Sequence, residues 1–465
     1  MDLVIHNGTI LTMTDKSAKA VAVQSGRIST LEKVPAQKEI DLEGRTLIPG
    51  FIDCHTHFVS MGMKLSNVDL SDVKNLQEAV SRLEKRASES EQDKWVLGFS
   101  WDESMWPERR WLSPEDLAGI ENPVCATRVD GHMAVLNPAG QKALHREKGY
   151  LFEEELFHLS EIKVEQDTEL AFKTALALAH KEGVTSIHDN PMDIGTFLLY
   201  QKMRCEELRI YVNLPVSVLD AVAQINLRSG FGNEWLRVGG IKIFTDGSIG
   251  AKTAALSFPY RNEENNGLLV YSDQELASIL KKAHPNQTAV HAIGDRAIQQ
   301  VITCSVPGKK NRNRIEHAEL VRDHQIPRIK ELGLLLSMQP NFFQWSHPGG
   351  LYDDRFGTGL DNRMRTLKEA GIPIVFGSDC MPFSPLYGIE QVTKAPFEEQ
   401  RLTVMDALAM YTREGAYASF EEDIKGTIEK GKLADFVVLS DDPREVDISS
   451  IRVEMTIVGG KVVYQ

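Results

Sequence analysis

The chain has 465 residues, of which 42% are hydrophobic and 25% charged, and a formal net charge of −14 at pH 7. That is an ordinary soluble composition without a basic stripe, which excludes a nucleic-acid footprint. The length exceeds one usual domain but suits a (β/α)8 barrel with insertions, which runs from about 200 to over 400 residues.

The first fifty residues read as short strands. Leu3-Val4-Ile5, the turn Asn7-Gly8 and Thr9-Ile10-Leu11 form one pair. Ala20–Val23, Ser25-Gly26 and Arg27-Ile28 form another. Short runs joined this way are hairpin signals. The C-terminus repeats the grammar with Ala434–Leu439, Met455–Val458, Gly459-Gly460 and Lys461–Tyr464. Neither end alone holds enough strands to close a sandwich. Residues 1–48 and 424–465 are therefore expected to build one small composite β-sandwich domain.

Residues 49–423 change to strand–helix alternation, the signal of parallel βαβ units and here of a distorted TIM (β/α)8 barrel. Eight barrel strands are predicted: Leu47–Asp53, Val184–Asp189, Leu208–Pro215, Gly239–Asp246, Thr288–Asp295, Arg314–Ala318, Leu334–Gln339 and Ile372–Asp379. Amphipathic helices are expected at Glu169–Lys181 and Asp273–Ala283. Residues 65–165 do not fit one βα unit and read as an insertion covering the barrel mouth. Trp95, Trp101, Trp106 and Trp111 lie there, four of the six tryptophans, with a strand-like Val124–Val129. These rings either line the mouth or only hold the insertion together.

The five cysteines (Cys54, Cys125, Cys205, Cys304, Cys380) are odd in number and form no CxxC. A disulfide scaffold and a thiolate zinc site are both disfavoured, and small packing residues are expected. No run approaches the roughly 18–20 apolar residues of a spanning helix, and no basic-then-apolar leader opens the chain. A cytoplasmic protein with a small-molecule substrate, no nucleic acid and no membrane is expected. A homo-oligomer is compatible with this composition.

The chemistry lies in six scattered residues. His55 and His57 end the apolar run 47–54, and side chains at i and i+2 of a strand share a face, so both can reach one ion. Lys242, His291, His317 and Asp379 each stand at or near the end of their own apolar segment. Taken singly, each histidine reads as a satisfied core residue and Asp379 as a turn cap. Together, titratable groups at five strand ends would be costly to bury without a shared partner, and a divalent metal is that partner. Active sites of such barrels gather at the C-terminal strand ends. Nitrogen and oxygen donors fit zinc best, with manganese, iron or nickel open. Lys242, inside the apolar run 241–244, reads either as a carbamate bridging two ions or as a substrate-facing or ion-paired lysine.

On these residues the chain resembles the amidohydrolase superfamily, within it the branch of N-substituted formamide deformylase-like proteins. The likeness rests on Leu47-Ile48-Pro49-Gly50-Phe51-Ile52-Asp53-Cys54-His55-Thr56-His57, the segment from Lys242 to Gly250, Val290-His291-Ala292-Ile293-Gly294-Asp295, Ile315-Glu316-His317-Ala318 and Gly377-Ser378-Asp379. Terminal pieces from Asp2 to Gly8 and Gly431 to Leu439 match as well. The resemblance implies one metal held by His55, His57 and Asp379, a second held by His291 and His317, and a carbamylated Lys242 bridging two zinc ions. It implies cleavage of an amide, N-formyl or cyclic amide C–N bond by a bridging hydroxide, with Asp379 as general base and then acid.

Candidate substrate contacts follow. His132 lies in the segment Arg128 to Asn137, which resembles one of the same branch, as does Trp101-Asp102. Asp246 follows the lysine and is placed to orient it, and Gln339 ends the seventh strand facing the mouth. His188-Asp189 reads as structural. The chain is shorter than this branch after Leu136, so substrate identity does not carry over. Two other readings stand beside the hydrolase: a mononuclear deaminase, which would generally lack the lysine, and a non-catalytic ligand-binding protein, which loss of a ligand would signal.

Overall fold

The structure is a computed structural model that describes residues 1–152, 155, 167–305 and 309–465. Its centre is an eight-stranded parallel sheet. The strands are Phe51–Thr56, Val184–Asp189, Arg209–Pro215, Leu236–Phe244, Thr288–Ala292, Arg314–His317, Leu335–Met338 and Ile374–Phe376, neighbouring one another in chain order. These are the eight predicted segments, with ends shifted by a few residues. Their apolar runs do not alternate because both faces are covered: every residue of the first three strands is buried. Helices Thr168–Lys181 and Asp273–Ala283 fall where amphipathic stretches were expected. The second begins in a reciprocal cap between Ser272 and Glu275, which satisfies two otherwise orphaned backbone donors.

The eighth strand returns to the first without a full ladder. Asp379 N–H donates to His55 O at 2.9 Å. A Cβ on Gly377 would sit 2.3 Å from the His55 backbone nitrogen, so only glycine permits that approach. The sheet is therefore a nearly closed, distorted TIM barrel, and its seam passes through the candidate site.

Two further sheets come from the termini. One holds Leu3–His6, Ala20–Gln24, Arg27–Thr30 and Lys38–Asp41; the other joins Thr9–Ile10 and Thr46–Pro49 to Phe436–Leu439, Val453–Val458 and Lys461–Tyr464. The two ends of the chain thus pair directly, Thr46–Pro49 running antiparallel to Phe436–Leu439. Leu3, Ile5, Val21, Leu47, Phe436 and Ile457 share one core between the sheets. The hairpins at Ser25-Gly26 and Gly459-Gly460 form. The one expected at Asn7-Gly8 does not. Leu3–His6 pairs with Ala20–Gln24 and Lys38–Asp41, while Thr9–Ile10 pairs with Thr46–Pro49 in the other sheet. Asn7, with φ 61°, turns the chain from one sheet into the next. The Asn-Gly signal marks left-handed backbone, and the pairing around it is decided elsewhere.

The insertion forms a third unit. Val68–Asp69, Val96–Trp101, Val124–Arg128, Met133–Leu136 and Tyr150–Phe152 make a five-stranded mixed sheet, backed by helix Leu76–Ser88. Trp101 and Trp106, with ring centroids 6.0 Å apart, centre its own hydrophobic core. Trp111 packs on Tyr150 and Phe152. The last part of the insertion, 153–154 and 156–166, lies outside the described residues. Among the described residues no helix is long and apolar enough to cross a membrane.

Candidate metal centre

Strand ends converge on one cluster. His55 and His57 leave the first strand on the same face, and the Asp379 carboxylate faces both. His55 Nε2 and His57 Nε2 stand 3.7 Å and 3.5 Å from Asp379 Oδ1. One ligand atom from each lies within 4.8 Å of the others, the only such trio of metal-ligand side chains among the described residues. Lys242, at the end of the fourth strand, brings its amine to 3.5 Å from His55 Nε2. The His317 ring sits 4.7 Å from that of His55 and 4.5 Å from that of His291, centroid to centroid. The structure brings together all six residues singled out for the metal.

The burial that makes this arrangement costly also prepares it for a cation. Removal from water, with Lys242 beside them, pushes the His55 and His57 imidazoles below their ordinary range, so they stay neutral and keep a lone pair. His291 and His317 are displaced the same way by burial and by neighbouring imidazoles. Burial also lowers the Lys242 amine to about 8 and raises the Asp379 carboxyl to about 7.

Each of three rings has its other nitrogen tied to protein. His55 Nδ1 meets Glu316 Oε2 at 2.5 Å, His317 Nδ1 meets Gln339 Oε1 at 2.7 Å, and His291 Nε2 meets the Gly247 carbonyl at 3.1 Å. An acceptor on one nitrogen places the proton there and aims the other lone pair at the shared centre. This donor set of neutral imidazoles, one carboxylate and one amine of lowered basicity fits a divalent ion. His317, Ala318, Asp379 and Cys380 all have left-handed backbone, φ between 49° and 71°. Such residues cost of order 1–3 kcal/mol each and concentrate at functional sites.

A buried layer lies beneath the cluster, in which the sequence pointed to a structural role for His188 but to none for Glu316 or Arg314. Glu316 is fully buried between His55 and Arg314, whose Nε lies 2.7 Å from Glu316 Oε1. Arg314 also donates to Cys54 O and Ser337 Oγ and meets His188 Nδ1 at 3.0 Å. His188 is therefore part of the support under the site. Glu316 is visible in the sequence as a carboxylate one residue before a histidine, but only the first strand, across the barrel, shows what it holds.

The expected substrate contacts divide. His132 lines the cavity at the cluster, its ring 5.1 Å from that of His291. The other four are corrected to supporting positions. Trp101 is enclosed in the insertion, where its indole donates to Ala126 O at 2.9 Å. Asp102 accepts from the Trp345 indole at 2.7 Å. Asp246 accepts from the backbone N–H groups of Ala255, Ile293 and Gly294, which fixes the turn after His291. Gln339 orients His317. Trp101, Asp102 and Gln339, expected at the mouth, are each engaged by a buried partner, and Asp246, expected to orient Lys242, holds backbone N–H groups after His291.

The cavity has two lobes that meet at Asp130, His132, His291, His317, Asp379 and Met381. The outer lobe, about 260 Å³, runs past Phe99, Val129, Met192 and Phe244. The inner one, about 30 Å³, is enclosed by Ile249, Ile293, Phe342, Trp345 and Tyr352. Behind them Arg128, fully buried, pairs with Glu103 at 2.9 Å and Asp130 at 2.7 Å, while Arg355 reaches Glu103 at 3.1 Å. This network ties the insertion to the loop after the seventh strand. A larger groove of about 920 Å³ lies over the terminal sheets, but it shares no residue with the histidine cluster. The five cysteines are unpaired, and Cys54 and Cys380 sit against the site's backbone.

A parallel barrel with imidazoles, a lysine and a carboxylate gathered at its strand ends defines a barrel hydrolase. The chain belongs to the amidohydrolase family, whose sequence profile matches residues 38–464. It is 27% identical to a putative amidohydrolase, YtcJ, of Bacillus subtilis, over the whole of both chains. It is 24% identical to an N-substituted formamide deformylase of Arthrobacter pascens, covering all of this chain and 98% of the relative. Among solved structures, an uncharacterized metal-dependent hydrolase from Pyrococcus horikoshii OT3 superposes with a TM-score of 0.79 at 27% identity, covering 96% of this chain and 99% of that one.

Proposed function

We propose that the protein hydrolyses a C–N bond of an amide, N-formyl or cyclic amide substrate, with two zinc ions held by His55, His57, His291, His317, Asp379 and a carbamylated Lys242. The observation that carries this reading is Lys242. A buried amine on a strand end, of lowered basicity and 3.5 Å from His55 Nε2, is neutral often enough to add CO2. The addition forms an N–C bond and releases one proton, leaving a carbamate with two ligand oxygens. A deaminase with a single ion has no use for it. That none of the six expected ligand residues is missing from the sequence also speaks against a binding protein on an old scaffold.

Bound in pairs, such ions would lower the pKa of a shared water towards about 7 and polarise a carbonyl. Asp379 faces the same centre, takes the proton of the attacking water and delivers it to the leaving nitrogen. General acid–base catalysis of this kind contributes about 10²–10⁴-fold. Glu316 and Gln339 hold the His55 and His317 rings in one tautomer throughout. The apolar lining excludes water and places the substrate's substituents.

The reading is tested with the zinc-loaded protein against a panel of N-formyl, N-acyl and cyclic amides, assayed for released amine and carboxylate. Turnover abolished by a chelator and restored by zinc is the expected result. Release of ammonia from aminated rings, with no amide cleaved, would instead favour the deaminase.

A further inference from the structure

The outer lobe carries one charge that neither the metal site nor the packing uses. Lys64, half-buried on helix Phe58–Leu65, lines it beside His57, Met61, Phe99, Met192 and Phe244. Its positive charge is felt at His57 and Asp379. No ion pair or hydrogen bond holds its amine among the described residues. The nearby acid Asp130 is already taken by Arg128 at 2.7 Å, Ser248 at 2.6 Å and the His132 N–H at 3.2 Å. Asp379 belongs to the ligand cluster. Away from the ligand cluster and the polar groups of Ser60, Thr127, Asp130 and His132, the wall is apolar at Met61, Phe99, Val129, Met192 and Phe244, so Lys64 stands as a cation beside a hydrophobic surface.

The inner lobe differs in size and content. At about 30 Å³ it has room for about two waters and no more. A ligand bridging both lobes therefore has a small group on the inner side and its bulk on the outer side.

Building on the amide-hydrolase reading, we propose that the outer lobe is a subsite for amides bearing a carboxylate beside an apolar group, with Lys64 as the counter-ion. The class that fits is a short-chain N-acyl amino acid with an apolar side chain. A lysine in a helix's last turn is also favoured by the helix dipole, but that role affects helix stability and gives no preference between ligands.

The test uses N-acetyl-leucine and its neutral carboxamide, N-acetyl-leucinamide, titrated calorimetrically into the protein as isolated and into Lys64→Met and Lys64→Arg variants. The unaltered protein should bind the acid about fivefold more tightly than the carboxamide, the scale of a partly exposed ion pair. Lys64→Met should erase that preference and Lys64→Arg retain it. A preference unchanged by Lys64→Met, no preference at all, or no binding of either compound would overturn the proposal. Turnover is scored separately. Binding with the expected preference but no cleavage counts against the hydrolytic reading alone.

Discussion

The two walls of the cavity are built on different principles. On the barrel side, His55, His57, Lys242, His291, His317 and Asp379 take their places from strand register, and the supports beneath them, Glu316 and Gln339, come from the same strands or the next residue along. On the insertion side, His132 and Asp130 take theirs from an ion-pair network linking Glu103 and Arg128 to Arg355, with Asp102 bonded to Trp345, across separate loops. A regular sheet thus fixes the chemistry, and irregular loop contacts fix the cavity's shape. Changes to the first wall should act on rate and metal affinity, and changes to the second on stability and substrate fit.

The largest effect is expected at the barrel wall. Asp379→Asn should reduce kcat by about 10²–10⁴-fold, measured on whichever amide the panel identifies; a smaller loss would remove Asp379 from proton transfer. Next comes the hub of the other wall. Arg128→Met leaves the buried Asp130 without its counter-charge and Glu103 with Arg355 alone. It should destabilise the fold by about 3–5 kcal/mol in urea unfolding. Glu316→Gln keeps the shape but weakens the hold on His55 Nδ1. Metal affinity, read by competition with a chelator, should fall about 10–100-fold, and because Glu316 is also the buried partner of Arg314 the unfolding midpoint of the metal-free protein should fall as well. The smallest effect belongs to Trp345→Phe, which removes the indole donor to Asp102. It should cost about 1 kcal/mol and shift KM more than kcat. An equal loss of kcat would blur the division between the walls.

The barrel wall was largely legible in the sequence because its signals are periodic and local. His55 and His57 announce a shared face by spacing alone, and the eight strands appear as eight apolar runs ending in polar residues. Lys242 is conspicuous as an amine inside such a run. Glu316 was equally local, yet its meaning depends on His55, 261 positions away in the chain. Asp246 and Gln339 were placed at the right end of the barrel, but their direction was not readable, since it is set by which backbone N–H or imidazole is nearest. The insertion was least legible. Its tryptophans build its own core, and of its aromatic rings it is Phe99 that reaches the cavity; the inner lobe's aromatic lining comes from Phe342, Trp345 and Tyr352, after the seventh strand, where there is no periodic signal. Likewise Asn7-Gly8 showed the turn but not the change of sheet, because pairing partners are chosen by the shared core.

The central claim is a pair of ions bridged through Lys242, and elemental analysis tests it most directly. The protein reconstituted with zinc and freed of excess metal should hold about two ions per chain. A Lys242→Ala variant prepared the same way should hold one or fewer. Equal metal content in the two proteins, or no retained metal in the unaltered chain, would contradict the account.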